Sequence, residues 1–187
     1  MWHWEKGISC LTAEQGGYDG GWCVAVENAE ANDARFEQTV SVKPDTMYRL
    51  SCMIKAEGCP EDEAGAGISV ADTFESSDYV YETQGEWVEV ELYGVTGADQ
   101  HEVTVMARVG GYSAINSGKA WFDQFAMEEV DGAPADAYVA SFFTPSPSSE
   151  QSSGQADSKI ASGGMLLAIS ALFLGLTALA VVWAGQK

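Results

Sequence analysis

The chain has 187 residues and a formal net charge of −19, with 28 Asp and Glu against nine Lys and Arg. Such a surface repels phosphate backbones and argues against nucleic acid as a partner. Only roughly 140 residues have a globular composition, enough for one domain with one core.

In chain order, residues 1–21 are irregular apart from a short predicted strand at 8–12 and a glycine loop at 16–21. A short strand follows at 22–27, and the small polar run 28–33 reads as a turn or loop. Over 34–42 the pattern alternates, with Phe36, Val40 and Val42 on one face and Arg35, Glu37, Thr39 and Ser41 on the other. Pro44-Asp45 signals a turn. The clearest strand is 46–57, with Tyr48, Leu50, Cys52 and Ile54 inward and Arg49, Ser51 and Lys55 outward. An acidic, glycine-bearing loop leads to a strand at 67–71, a connection at 73–77 and a short strand at 78–82. In the strand at 86–93, Trp87 and Tyr93 lie opposite Val88, Val90 and Leu92. In the next, at 101–109, Met106 and Arg108 lie opposite Val103, Val105, Ala107 and Val109. Gly110 and Gly111 break that strand, and 118–130 completes the set with Trp121, Asp123, Phe125 and Met127 on one face.

Roughly eight or nine strands at short spacing, with no helical period among them, predict an all-β fold. The expected architecture is an antiparallel β-sandwich over 1–143, jelly-roll or immunoglobulin-like. Residues 144–158 lack large apolar side chains, and 144–160 read as a Ser/Pro-rich flexible linker. Residues 161–185 read as one transmembrane helix: 165–185 is an uncharged apolar run long enough to cross a hydrocarbon core of about 30 Å. Trp183 sits where an interfacial aromatic is expected. Lys159 and Lys187 flank the span and leave its orientation open. The first six residues, Met-Trp-His-Trp-Glu-Lys, have no apolar run of the signal-peptide kind. Two expectations follow: a tail-anchored cytosolic domain, or a piece of a longer membrane protein.

The four cysteines, Cys10, Cys23, Cys52 and Cys59, have no metal-ligand spacing. Cys52 is expected to be a buried thiol, and two disulfides would be available in an extracytoplasmic setting. There is no G-x-S-x-G, H-E-x-x-H or phosphate loop, so no catalytic role is expected. Flat aromatic faces and hydrogen-bonding groups suit sugar recognition. The candidate ligand contacts are therefore Trp87, Tyr93, Arg108 and Tyr112. The plainer alternatives are that Trp87 packs a sheet edge and that Arg108 pairs with a nearby acid. A carboxylate on an apolar face, as predicted for Asp123, needs a partner. Three are open: an ion pair with Arg108 or Lys119, backbone N–H donors of the 110–118 loop, or Ca²⁺.

The run Arg35-Phe-Glu-Gln-Thr-Val-Ser-Val-Lys-Pro-Asp-Thr-Met-Tyr-Arg-Leu-Ser, then Gly85-Glu-Trp, then Ala107-Arg-Val-Gly-Gly-Tyr, then Gly118-Lys-Ala-Trp-Phe-Asp-Gln resembles the carbohydrate-binding-module superfamily with a galactose-binding-like sandwich. The likeness covers roughly residues 20–130. It implies a jelly roll, no catalysis, a glycan or cell-surface polysaccharide as partner, and often a structural Ca²⁺ joining the first and last strands. The family's opening strand, with its Asn-Gly-x-Phe-Glu motif, has no counterpart ahead of Trp2 and Trp4, so Asp123 is carried over only as a remnant metal ligand. The reading is a single-pass, membrane-tethered module displayed outside the cytoplasm that binds glycan. The alternative is a structural accessory domain or fragment of a larger membrane protein, such as a glycosyltransferase.

Overall fold

The computed structural model describes residues 1–143. The predicted linker and membrane span lie outside the described residues. Ten strands run in order: β1 (Trp2–His3), β2 (Ser9–Gln15), β3 (Trp22–Asn32), β4 (Ala34–Ser41), β5 (Met47–Glu57), β6 (Ala66–Val70), β7 (Val88–Val95), β8 (Glu102–Val109), β9 (Asn116–Glu129) and β10 (Val139–Ser141). They form a four-stranded sheet of order β1-β4-β8-β6 and a six-stranded sheet of order β10-β7-β5-β9-β3-β2. The domain is an all-β, two-sheet sandwich.

The core lies between the sheets, and strand alternation supplies it. Tyr48, Leu50, Cys52 and Ile54 of β5 meet Val103, Val105, Ala107 and Val109 of β8, all buried. Phe36, Val40 and Val42 pack against this core from the edge. The four cysteines are free thiols, with Cys10 exposed and the other three buried. Burial pushes Cys59 up to about 11, and raises Cys52 further, so both are inert packing groups rather than nucleophiles.

Four expectations need correction. The polar run 28–33 is not a loop: β3 continues through Asn28 to Asn32. No strand forms at 78–82, which pairs with β6 through one isolated bridge, Val80 with Ala66, just after a second at Ser76 with Ser69. The sandwich is not antiparallel throughout, because β10 pairs parallel with β7. Phe142, just past β10, seats its ring over Gly94, where a Cβ would come 2.2 Å from the ring. Finally, Asp123 does not share a face with Phe125 and Met127. Met53 pairs with Asp123 but Ser51 with Ala126, so Gln124 and Phe125 together oppose Cys52. This β-bulge, with Gln124 at φ 47°, resets the alternation. Phe122, Phe125 and Met127 therefore turn to the core, and Trp121 and Asp123 turn out.

Candidate functional site

The outer face of the four-stranded sheet carries an unusual row. Register places Trp2 beside Arg35, and Arg35 directly opposite Arg108. Like charges facing each other across strands repel. Asp33, the residue between β3 and β4, resolves this: its Oδ2 accepts from Arg35 Nη1 at 3.0 Å and from Arg108 Nη2 at 2.5 Å. Arg35 Nε also donates to Glu37 Oε1 at 2.6 Å, and its guanidinium lies 3.8 Å from the centre of the Trp2 ring. Arg108 Nη1 reaches Ser69 Oγ at 3.4 Å. Asp33 is 4% exposed and Arg108 8%, so this is a buried ion triad. Asp33 Oδ1 and Arg108 Nε are buried there without a hydrogen-bond partner.

Above the triad lies a groove of about 750 Å³, rimmed by rings. Trp4, Phe74 and Tyr112 are 70%, 88% and 73% exposed. Phe74 and Tyr112 meet edge to face, ring centres 5.8 Å apart, and Trp2 and Trp4 lie 6.4 Å apart. Such exposure of large rings is costly in water.

Local chemistry fixes each ring's support. Asn32 clamps the N-terminal segment: its amide donates to the Glu5 carbonyl at 2.9 Å and to Ser9 Oγ at 2.6 Å, and its Oδ1 accepts from Glu5 N at 2.9 Å. Trp4 N donates to the Asp33 carbonyl at 2.8 Å. Asn28 donates to the carbonyls of Asn32, Val109 and Asn116, tying β3 to both flanks of the 110–115 loop. Gly110, at φ 81°, starts that loop, and a Cβ there would lie 2.1 Å from the Asn32 carbonyl oxygen. Gly111 and Ala114 then exchange backbone bonds and present Tyr112 at the tip. On the facing loop, Thr73 Oγ1 donates to the Val70 carbonyl and accepts from Glu75 N, which holds the turn bearing Phe74.

Of the residues expected from sequence, the structure brings Arg108 and Tyr112 together at this groove. Trp87 and Tyr93 lie on the outer face of the other sheet. There Lys55 Nζ sits 5.1 Å from the Trp87 ring and 4.5 Å from Trp121, while Tyr18 meets Trp87 edge-on at 6.3 Å. Lys119 covers Trp121 at 4.7 Å. Glu14 accepts from Trp121 Nε1 at 2.8 Å and Lys119 Nζ at 2.9 Å, and these donors hold its carboxyl down to about 2. The Tyr93 hydroxyl donates to Glu91, which with Glu89 and Glu128 surrounds Arg49. Sequence reading missed Trp2, Trp4, Asp33, Arg35, Glu37 and Phe74. The alternation of β4 held the signal for Arg35 and Glu37, since it put both on the outward face.

Asp123 is engaged by backbone donors. Its Oδ2 accepts from Tyr18 N and its Oδ1 from Gln124 N, both at 2.7 Å. Gly17 passes so close that a Cβ would lie 2.4 Å from Oδ2. The donors are backbone N–H groups, but those of Tyr18 and Gln124 and not of the expected 110–118 loop, so Asp123 anchors the 16–21 loop instead. Among the described residues no group of three or more acid, His or Cys side chains is gathered to hold a metal. The residues present do not fit a Ca²⁺ built on Asp123.

No protein-family model matches the chain, and no curated protein matches it. Solved structures do. The chain is similar to the module TmCBM61, solved with β-1,4-galactotriose, at 16% identity and TM-score 0.48, over 67% of this chain and 85% of that one. It is similar to the CBM22-1–GH10 modules of a Clostridium thermocellum xylanase complexed with xylohexaose, at 18% identity and TM-score 0.47, over 73% of this chain and 27% of that one. The enzymatically active domain of a bacteriophage CBA120 tailspike also matches, at 11% identity and TM-score 0.48, over 68% and 19%.

Proposed function

We propose that this chain is a non-catalytic, jelly-roll glycan-binding module, held at a membrane by its 161–185 segment with the sandwich outside the cytoplasm. The observation that carries the reading is the groove: free aromatic faces around a buried, hydrogen-bonded polar floor. Pyranose rings offer flat C–H faces to stack on Trp4, Phe74 and Tyr112, and hydroxyls to meet polar groups between them. Glu37 keeps 32% of its side chain exposed, and only one of its carboxylate oxygens is taken by Arg35. It is the natural acceptor for sugar hydroxyls. The groove's two inner carboxylates, Asp33 and Glu37, are both bound to guanidiniums, which suits them to holding a ligand and not to proton transfer.

The test is a glycan array and affinity gels with the full chain in non-ionic detergent micelles. Retention on at least one glycan is expected, and it should be lost in Trp4→Ala and Tyr112→Ala. A blank array would leave the sandwich as a structural accessory domain. Protease shaving of intact cells tests the display, since a domain protected from protease would place it inside.

A further inference from the structure

The groove floor has a charge balance that bears on which glycans it takes. Two arginines on an exposed sheet face would ordinarily signal an acidic ligand, such as a uronate or a sulfated sugar. Here the charge of both guanidiniums is already matched by the groove's own carboxylates. Asp33 Oδ2 bridges Arg35 and Arg108, and Glu37 takes the Arg35 Nε. Asp72 is a further acidic residue of the lining. The one large face of Arg35 is covered by the Trp2 ring. Beyond the groove, the chain as a whole carries −19. A polyanion would approach against this field and find no uncompensated cation at its end.

We propose that the groove accepts neutral polysaccharides and rejects acidic ones. This rests on the glycan-binding reading above and adds the ligand's chemical class. Arg35 holds the Glu37 carboxylate in place, and the Glu37 oxygens accept hydrogen bonds from sugar hydroxyls. A neutral, hydroxyl-rich chain satisfies them. A ligand carboxylate would face Glu37 directly, with the buried Asp33 beneath it. Because recognition would then run through neutral contacts, it should be nearly independent of ionic strength.

Affinity electrophoresis of the full chain in non-ionic micelles tests this. Gels would carry either neutral polysaccharides (β-glucan, galactan, xylan, mannan) or acidic ones (polygalacturonate, alginate, heparin), each run at low and high salt. Retardation is expected in one or more neutral gels, equal at both salts, and in no acidic gel. Retardation by an acidic polysaccharide that fades with salt would overturn the inference while leaving glycan binding intact. Retardation in no gel at all would remove the binding reading and this inference with it. The double variant Glu37→Gln with Asp72→Asn, checked for folding by circular dichroism, removes two carboxylates from the lining and leaves two arginines against Asp33. It should gain at least about threefold in retardation by polygalacturonate. A folded double variant with no such gain would show that the rejection has another origin and would overturn the charge argument.

Discussion

The two outer faces of the sandwich both display tryptophan and tyrosine, but in opposite states. On the six-stranded sheet the faces of Trp87 and Trp121 are already covered: Lys55 lies between them, Lys119 covers Trp121, and Glu14 ties the indole N–H and the lysine together. On the four-stranded sheet the charges lie beneath, closed on one another by Asp33, and Trp4, Phe74 and Tyr112 stand clear above them. An aromatic residue marks a binding surface only when its face is free. Counting rings does not distinguish the two faces; asking where each nearby charge is satisfied does.

The largest effect expected from breaking this contrast lies under the groove. Asp33→Ala removes the acceptor shared by two opposed arginines, one of them almost wholly buried. Losing one partner of a buried ion pair costs about 3–5 kcal/mol, because the charge left behind has no water. Urea denaturation should show a loss of that order, and glycan retention should go with it. Stability within about 0.5 kcal/mol of the parent would mean that the triad is not what shapes the floor.

Next come the rings themselves. Trp4→Ala and Tyr112→Ala should leave stability within about 0.5 kcal/mol of the parent, since both side chains are mostly in water. Each should weaken glycan affinity at least about tenfold, roughly 1.4 kcal/mol. Trp87→Ala should do the reverse: a loss of about 1–2 kcal/mol in stability from the broken Lys55 and Tyr18 contacts, and no change in affinity. Calorimetry of binding and unfolding on the same three variants separates the faces. Weaker binding in Trp87→Ala would mean that the lysine-covered face also takes ligand.

What was legible in the sequence follows the range of the interactions involved. Strict alternation in β4, β5 and β8 exposed the core and the outward side of Arg35, Glu37 and Arg108, because a period of two is a local property. Tyr112 was legible from its glycine-bounded loop. The run 28–33 was misread because Asn and Asp usually mark turns. Here Asn28 and Asn32 are buried and satisfied by carbonyls far away in sequence, which no local pattern reveals. The same clamp hid Trp2 and Trp4, which belong to an irregular segment until Asn32 docks it. The bulge at Gln124 flipped Asp123 off its expected face. β10 escaped because three residues carry little pattern, and its anchor is Phe142 just past it, whose ring fills the gap over Gly94 of β7.

The smallest effect tests the covered face through pH. Glu14 has its carboxyl held at about 2 instead of an ordinary 4.5, first by the Trp121 N–H and then by Lys119. It therefore binds its proton less readily in the fold than in the unfolded chain. Its contribution to stability is complete above about pH 4.5 and is lost as the pH falls through about 2. Part of the carboxyl faces water, so the contribution is about 1 kcal/mol, well below what the shift alone suggests. Glu14→Gln should be less stable than the parent by that amount at pH 7, with glycan affinity unchanged. The gap should narrow steadily between pH 4.5 and 2, as the parent's own carboxyl is protonated. A gap that stays constant over that range would show that the charge of Glu14 does not hold Lys119 over Trp121. The closed state of this face would then rest on ring packing alone.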